Sequence, residues 1–393
     1  MRILIPTADY PPIEGGISTV TLELSRALAR RGHTVTVVAP WFPDMESFDA
    51  TEPVTVVRYR GYDWGWLRAW PLFRVAGPLV RRHDVILAIN VAYGGLLGLL
   101  GRTIGGAPYV NFAYGYEYLK FSRNPAARLL LRLIYRGGRT TIAISRYTRD
   151  QLIQFGVAPS RIAVALPGAQ LPEPVSDSAI RAARHELDLE DAPYILSVGR
   201  LIPRKGHVTL IEALARLQER GIHAHLVIAG RGPEMEACQR QAAALGLDGC
   251  VHLAGYVAPA MLGALYADCA CFALPAGEDE NGQVEGFGLV YTEAHAHGKP
   301  VIAGRSGGAP EAVLHEETGL LVSPRDPDAI AEALARVLGD PAYGRALGEA
   351  GRARVARELN WDRFAERVIQ ESGLAETPVD ATQPAGRDAR ADE

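Results

Sequence analysis

The sequence predicts an α/β protein built from two Rossmann-like domains whose parallel sheets face a central cleft. At 393 residues, the chain exceeds the roughly 250 to 300 residues over which a single core usually grows. Short runs rich in β-branched residues alternate with amphipathic helical segments along most of its length. Near the middle, the proline-rich stretch LPEPVSDS interrupts this alternation and is typical of a linker. Alternating helices and continuously apolar strands indicate parallel sheets covered on both faces.

The strand-like runs fall into two groups. Before the linker they are RILIPT, TVTVVAP, VTVVRYR, DVILAI, PYVNFA, TTIAIS and RIAVALP. After it they are YILSVGR, HLVIAG, VHLAGY, CACFALP, PVIAG and GLLVSP. Helical spacing of apolar residues predicts helices over 17–31, 206–220, 234–245, 288–297 and 327–339, and a final helical stretch over 341–372. In such folds, ligands bind at the carboxyl ends of the strands.

This pattern divides the chain into four segments. We expect an N-terminal domain over 1–172 and a C-terminal domain over 173–353. A C-terminal helix over 354–372 can cross back to the N-terminal domain. The tail over 373–393 is rich in Pro, Ala and charge and has no apolar periodicity, so we expect it to be disordered.

Composition favours an ordinary globular protein, since 48% of residues are apolar and 22% are charged. The first residues lack the features of a secretory signal, and no uninterrupted apolar run is long enough to span a membrane. The four cysteines show no CxxC spacing, which favours reduced core thiols. We therefore expect a cytoplasmic protein that is soluble or peripheral on the inner face of the membrane, with no nucleic-acid partner.

Charge is distributed unevenly between the halves. Residues 1–172 contain 20 Lys and Arg against 11 Asp and Glu, whereas the remainder is acidic. A basic first half indicates an anionic acceptor or an anionic membrane surface as partner. Residues 120–139 carry six cations and no acid around a leucine-rich centre, which suits either a lipid-binding helix or a packed helix with a basic outer face. The aromatic residues Trp64, Trp66 and Trp70 fit an acceptor wall, an interfacial anchor or local core.

Glycines and cations follow several predicted strands. Gly15 and Gly16 stand before the first helix, where the backbone could approach a phosphate at the helix N-terminus, although a plain turn would also explain them. In SVGRLIPRKGH, Arg200 and Lys205 follow the first strand of the second half and could neutralise a diphosphate leaving group. The alternative is that these cations belong to a solvated basic loop without a ligand, and this alternative is strongest for Arg204.

The next two strand ends give weaker signals. Gly230 and Gly232 precede a helix in IAGRGPE and could bring the backbone near a ligand, or serve as a structural turn. Backbone groups of Tyr256 and Val257, at the end of VHLAGYV, are candidates for holding a nucleotide base.

The segment VEGFGLVYTEAHAHGKPVIAGRSGGAPE is the most specific signal. Its two carboxylates, Glu285 and Glu293, are predicted in a loop and in the second turn of the following helix, so they would do different work. A carboxylate can accept two hydroxyl hydrogen bonds from a sugar or a ribose diol. The helix begins near the backbone N–H groups of Phe287, Gly288 and Leu289, which could hold an anion. Two ordinary surface carboxylates are the alternative.

The histidines do not indicate a metal site. His295 and His297 are two residues apart on a predicted helix and would point away from each other. The sequence also lacks HExxH or zinc-finger spacing. We therefore expect no metal and no cofactor other than a co-substrate.

Together these segments resemble family 4 of the retaining glycosyltransferases of GT-B architecture. The resemblance rests on GGIS, GHTVTVV, VGRLIPRKG, IAGRGPE, EGFGLVYTEA, GKPVIAGRSGGAPE and TGLLV, and it spans nearly residues 1–364. The E-x7-E and RxxxxK elements occur in the expected order. Within the family, VEGFGLVYTEA and VIAGRSGGAPEAV are most similar to the mannosyltransferases that use GDP-mannose and act on phosphatidylinositol mannosides.

The resemblance implies an activity and a set of roles. The enzyme would move a hexose, with retention, from a nucleotide sugar to a glycolipid or polysaccharide-precursor acceptor. The donor would be GDP-mannose or a UDP-sugar, bound by the C-terminal domain, with the acceptor on the N-terminal side. Arg200 and Lys205 would bind the diphosphate, and Gly16 would bring backbone to the phosphates. Glu285 would contact the sugar, and Glu293 the ribose.

One position departs from the family pattern. Members usually carry a histidine in an HGxE or HGxD stretch after the fifth strand, where this chain has AYGYE with Tyr114. Tyrosine can still hydrogen-bond a sugar hydroxyl, but it does not become a cation near neutral pH. The identity of the sugar is therefore open.

Two other functions remain compatible with the sequence. A nucleotide-sugar epimerase can share two facing Rossmann-like halves, and a non-catalytic nucleotide-binding module could retain Arg200, Lys205 and Glu293. Glu285 facing the sugar favours an enzyme.

Overall fold

The computed structural model describes residues 1–63, 67, 69–115, 124–189 and 191–373. Within them the predicted fold class is confirmed, because the strands form two parallel sheets. Ile3 and Ile5 pack into one apolar cluster and Leu4 into another, so both faces of the first strand are covered. This double burial explains why the strands read as continuous apolar runs.

The first sheet has seven strands in the order β3-β2-β1-β4-β5-β6-β7, each parallel to its neighbours. Their bounds are β1 Arg2–Pro6, β2 Thr34–Pro40, β3 Thr55–Tyr59, β4 Val85–Ala88, β5 Tyr109–Ala113, β6 Thr141–Ala143 and β7 Ile162–Val164. The order reverses between β1 and β4, which places a crevice at their carboxyl ends.

The second sheet has six parallel strands in the order β10-β9-β8-β11-β12-β13. Their bounds are β8 Tyr194–Val198, β9 His225–Ala229, β10 Val251–Gly255, β11 Cys271–Leu274, β12 Val301–Gly304 and β13 Gly319–Val322. The order reverses between β8 and β11. Every strand-like run of the sequence therefore forms a strand, which confirms those predictions.

Helices connect the strands of both sheets. In the first half they are α1 Gly16–Arg30, α2 Glu46–Thr51, α3 Ala69–Ala76, α4 Leu96–Thr103, α5 Pro125–Gly137 and α6 Arg146–Phe155. In the second half they are α7 Asp177–Glu186, α8 His207–Glu219, α9 Met235–Ala244, α10 Pro259–Asp268, α11 Leu289–Ala296, α12 Ala309–Ala312, α13 Pro327–Gly339, α14 Pro341–Arg357 and α15 Trp361–Glu371. In the part of the chain so described, no helix combines the length and apolar character needed to cross a bilayer.

The final helical stretch resolves into two helices that pack on different domains. Asn360 caps α15 by accepting a hydrogen bond from Arg363 N at 2.9 Å. Trp361, Phe364 and Val368 of this helix are buried in the core of the first sheet. The chain therefore returns to its N-terminal half through α15. Just before this helix, Leu359 O accepts a hydrogen bond of 2.9 Å from Ala169 N, which precedes the linker.

Other predicted features have mixed outcomes. The four cysteines are unbridged, and Cys238, Cys269 and Cys271 are buried. Trp70 lies on α3 and is exposed, so it is not local core. Trp64, Trp66, residues 120–123 and the tail over 374–393 lie outside the described residues.

Candidate active site

The candidate site forms at the carboxyl ends of β8 and β11, where the strand order of the second sheet reverses. The loop after β8 carries Arg200 and Lys205, and the loop after β11 carries Glu285. A hydrogen bond of 2.7 Å from Gly277 N to Arg204 O joins the two loops. Open α/β sheets bind their ligands at such reversal points.

Glu285 forms salt bridges with two cations of the first loop. Lys205 Nζ lies 2.5 Å and Arg204 Nη1 3.3 Å from Glu285 Oε2. The side chains of Lys205, Arg204 and Glu285 are only 10%, 13% and 15% exposed. From the sequence, a solvated loop was the favoured interpretation for Arg204, but the structure places Arg204 in contact with Glu285, beside Lys205. Because both cations contact Oε2, Oε1 can accept hydrogen bonds from a ligand.

The charge state of Glu285 follows from these neighbours. Burial alone would raise the pKa of its carboxyl group, but the attraction of Lys205 and then Arg204 outweighs burial, so the pKa lies below its ordinary value. Glu285 is therefore a carboxylate at neutral pH and acts only as a hydrogen-bond acceptor.

Arg200 differs from Lys205 in its surroundings. Its side chain is exposed and makes no salt bridge within the described residues. With Arg204 and Lys205 it gives the loop after β8 three positive charges, and Glu285 forms salt bridges with two of them, Arg204 and Lys205. A site of this charge suits a diphosphate.

The loop from Glu285 leads directly into α11. Gly288 precedes the helix with φ of +92°, and a Cβ there would lie 2.3 Å from the Tyr291 ring. Glycine is therefore required at this turn. Gly308 N donates to Glu285 O at 2.8 Å and fixes the loop from the side of β12. The predicted N–H groups of Phe287, Gly288 and Leu289 thus stand at the positive end of the helix.

Glu293 lies in the second turn of α11, as expected, and has a partner that sequence reasoning missed. The Tyr266 hydroxyl of α10 donates to Glu293 Oε2 at 3.0 Å. The Tyr266 ring stacks on His297, with ring centroids 5.4 Å apart. Burial raises the pKa of Glu293, while the Tyr266 hydrogen bond and Lys205 act against that rise. No sequence pattern links Tyr266 to Glu293, because the contact joins two helices distant in the chain.

The first domain contributes a second helix N-terminus to the same place. Gly15 caps α1, and the Cβ position of Gly16 lies 3.7 Å from Leu289 Cδ1. The N-termini of α1 and α11 are therefore neighbours across the two domains. Their combined positive ends favour an anion between them.

Tyr114 also lies where the domains meet. It packs against the apolar clusters of both domains, and its carbonyl oxygen approaches Gly286 closely enough that a Cβ there would lie 2.5 Å away. Tyr147 N, in the first turn of α6, donates to Glu311 Oε1 of α12 at 3.1 Å. These contacts bring Tyr114 beside the Glu285 loop.

The weaker candidates lie toward one edge of the second sheet. Cβ atoms on Gly230 and Gly232 would lie 1.9 Å from Gly199 O and 2.2 Å from Leu201 O, so both glycines permit close packing of the Arg200 loop. Their structural role thus has direct support. Tyr256 and Val257 follow β10, two strands from β8, and the Arg231 guanidinium lies 5.6 Å from the Tyr256 ring centroid.

The two histidines at the C-terminal end of α11 have structural partners. His295 is buried with Nε2 2.8 Å from Thr318 O, and burial lowers its pKa to about 4. Burial likewise lowers the pKa of His297 to about 4. Within the described residues, no group of three or more His, Cys, Asp or Glu side chains is arranged to hold a metal ion.

Two facing parallel-sheet domains, with helix N-termini and cations at their junction, define a nucleotide-sugar glycosyltransferase of GT-B architecture. The family described as Glycosyltransferase Family 4 matches residues 14–171, and the one described as Glycosyl transferases group 1 matches residues 180–354. The chain belongs to glycosyltransferase family 4. Enzymes of this family use nucleotide-sugar donors, and neither an epimerase nor a non-catalytic module is favoured.

Named relatives cover almost the whole chain. A GDP-mannose-dependent alpha-(1-6)-phosphatidylinositol monomannoside mannosyltransferase of Mycobacterium tuberculosis is 35% identical over 384 residues, which is 93% of this chain and 97% of that protein. A GDP-mannose-dependent monoacylated alpha-(1-6)-phosphatidylinositol monomannoside mannosyltransferase of Corynebacterium glutamicum is 30% identical, over 93% of this chain and 96% of that protein. These similarities confirm the predicted family and enzyme class.

Solved structures agree on the fold. Anabaena Alr3699/HepE in complex with UDP and glucose superposes with a TM-score of 0.79 at 22% identity, over 94% of this chain and 98% of that one. Sucrose-phosphate synthase from Thermosynechococcus elongatus superposes with a TM-score of 0.75 at 24% identity, over 94% and 97%. The roles of the individual site residues stay predictions.

Proposed function

We propose that this enzyme transfers mannose from GDP-mannose to a glycolipid of the phosphatidylinositol mannoside class, with retention at the anomeric carbon. The names of the relatives from Mycobacterium and Corynebacterium support the donor and the acceptor class. The observation that carries the proposal is the salt-bridged Glu285, held beside the adjoining N-termini of α1 and α11.

Charge explains how this arrangement assists transfer. A nucleotide sugar carries one negative charge on each phosphate, and the loop after β8 offers these charges Arg200, Arg204 and Lys205. When the bond to the sugar breaks, further charge develops on the leaving phosphate. The helix N-termini and the cations stabilise that charge without reorganising, and this lowers the barrier.

The carboxylates position the rest of the donor. Glu285 Oε1 accepts hydroxyl hydrogen bonds from the sugar, while Oε2 stays with Lys205 and Arg204. Glu293 accepts hydrogen bonds from the ribose diol, held in place by the Tyr266 hydroxyl. Tyr114 lies beside the Glu285 loop and contacts the sugar from the first domain.

Incubation of the purified enzyme with GDP-mannose and a detergent-solubilised phosphatidylinositol monomannoside tests this function. We expect a mannosylated lipid whose new linkage has the α configuration of the donor, as read by NMR. UDP-glucose serves as the matched donor control and should transfer poorly. A β-linked product would overturn the retaining mechanism. Transfer from UDP-glucose but not from GDP-mannose would overturn the proposed donor.

A lipid acceptor requires contact with a membrane, and α5 carries a suitable surface. Leu131, Ile134 and Tyr135 of this helix are buried in the first domain. Leu129 and Leu133 lie on the opposite face and are 60% and 48% exposed. The helix therefore has a second apolar face, in addition to the one that packs against the first domain. Outward leucines one turn apart favour insertion into a bilayer interface.

Arginines line one side of these leucines. Arg128, Arg132 and Arg136 are exposed on α5, and Arg132 Nε also donates to Phe155 O at 3.0 Å. Each cation near an anionic surface contributes about 1 kcal/mol of attraction. The outer face of α5 thus combines apolar and basic groups, as peripheral membrane helices do, and we propose that it docks on anionic lipid.

Liposome co-sedimentation tests docking. We expect wild type to sediment with vesicles containing phosphatidylglycerol, less so at high salt, and only weakly with neutral vesicles. Changing Leu129 and Leu133 to Ser, or Arg128 and Arg136 to Glu, should reduce the bound fraction about tenfold. Leu245→Ser and Arg220→Glu, exposed positions of the second domain, are the controls. Equal sedimentation of all variants would refute docking through α5.

A further inference from the structure

A carboxylate of the second domain caps a helix of the first domain. The N–H of Tyr147, in the first turn of α6, donates to Glu311 Oε1 of α12 at 3.1 Å. The next N–H, that of Thr148, donates at 3.0 Å to Ser145 Oγ, the ordinary cap of α6. The N-terminus of α6 therefore has one partner from its own domain and one from the other. The negative charge of Glu311 also suits the positive end of the helix.

The backbone of Glu311 is fixed on the second domain. Arg354 of α14 is only 8% exposed, and its guanidinium donates to Glu311 O at 2.7 Å and to Ala312 O at 2.9 Å. Glu311 N donates to Gly308 O at 3.0 Å. Because a planar guanidinium holds both carbonyl groups at once, α12 has a defined orientation. The Glu311 carboxylate therefore reaches α6 from a rigid base.

The Glu285 loop is enclosed between this base and the first domain. On one side, Gly308 N donates to Glu285 O, and a Cβ on Gly308 would lie 2.0 Å from Gly286 O. On the other side, a Cβ on Gly286 would lie 2.5 Å from Tyr114 O and 3.2 Å from Ile144 Cδ1. Ile144 stands just before the cap of α6 and packs into an apolar cluster of the second domain. Separation of α6 from α12 would therefore open the wall beside the Glu285 loop.

We propose that Glu311 is a positioning residue, which aligns the two domains for transfer by capping α6 across their junction. This inference rests on the proposed glycosyl transfer, in which the second domain holds the donor and the first holds the acceptor. The reacting atoms must approach to about 3 to 3.5 Å, and a displacement of about 1 Å can lower the rate about 100-fold. A contact that fixes one domain against the other therefore acts on turnover without touching the substrates.

The Glu311→Ala variant removes the contact between α6 and α12. With GDP-mannose and phosphatidylinositol monomannoside, we expect kcat to fall about tenfold or more. Small-angle X-ray scattering in the presence of GDP should give a larger radius of gyration than for wild type, because the domains part more readily. The melting temperature should change little, since Arg354 contacts backbone oxygens that alanine retains.

Two matched variants make the result specific. In Glu311→Gln the amide oxygen can still accept the hydrogen bond from Tyr147 N, and only the charge at the helix end is lost. Its kcat should therefore stay within about threefold of wild type, and its radius of gyration should match wild type. Glu332→Gln changes an exposed acid of the same domain and should behave as wild type.

The outcomes separate this inference from the proposed function. Wild-type kcat in Glu311→Ala, with wild type active, would overturn the inference alone. Wild-type scattering in Glu311→Ala would do the same, because a role in domain alignment requires the domains to move. Absence of transfer by wild type would instead overturn the proposed function and remove this inference with it.

Discussion

Replacing Arg200 with alanine should lower kcat about 100-fold or more while leaving the melting temperature unchanged. Arg200 is exposed and makes no salt bridge within the described residues, so we expect little effect of its loss on the free energy of unfolding. Its charge stabilises the transition state more than the bound donor, because negative charge develops on the leaving diphosphate as the bond breaks. Its removal should therefore lower kcat. Steady-state kinetics at saturating donor, with differential scanning fluorimetry, measure both quantities.

Lys205→Ala should lower kcat to a similar extent and destabilise the protein as well. Lys205 is buried against Glu285, and removal of one partner leaves a largely buried carboxylate with only Arg204, at a cost of a few kcal/mol. Arg220→Ala, an exposed arginine of the same domain, is the control and should change neither quantity. Full turnover in Arg200→Ala and Lys205→Ala, or strict Mg²⁺ dependence of a chelated wild-type sample, would contradict charge stabilisation by these cations.

Replacing Glu285 with glutamine should separate binding from catalysis. The variant keeps the shape of the side chain but removes the negative charge that forms salt bridges with Arg204 and Lys205. GDP should bind more tightly, because Arg204 and Lys205 then face the diphosphate without the counter-charge of Glu285. Turnover should nevertheless fall about 100-fold, since the carboxylate that accepts the sugar hydroxyls is lost.

The pH dependence of stability gives a second measurement on the same variant. The pKa of Glu285 lies below its ordinary value, so its carboxylate stabilises the folded state above that ordinary value. This stabilisation is lost as pH falls through the lowered pKa. Wild type should therefore lose stability in acid more steeply than Glu285→Gln. Glu280→Gln, an exposed acid of the same loop, should behave as wild type. Weaker GDP binding by Glu285→Gln would show that Glu285 serves only to hold Lys205.

The sequence predicts most of the fold because its strands are buried on both faces. Continuous apolar runs mark such strands clearly, and all of them were found. The break before α15 was missed, although Asn360 followed by Trp361 and Asp362 is a helix-start pattern. Likewise, the glycines that follow Glu285 in the sequence predict that this residue lies in a loop, as it does in the structure.

The partners of the site residues were harder to predict. Arg204 joins Glu285, and Tyr266 joins Glu293, across loops and helices that no local pattern connects. Each of these contacts follows from the strand order of a sheet, which the periodicity of a single sequence does not reveal.

The return of α15 to the first domain affects how the protein folds during synthesis. Domains of a nascent chain usually fold in the order in which they leave the ribosome. Here the N-terminal domain cannot complete its core before the second domain is synthesised, because Trp361, Phe364 and Val368 of α15 fill part of that core. Until those residues emerge, the apolar surface that they cover faces water. The second domain can therefore complete its core before the first, and the emergence of α15 then completes the core of the first domain.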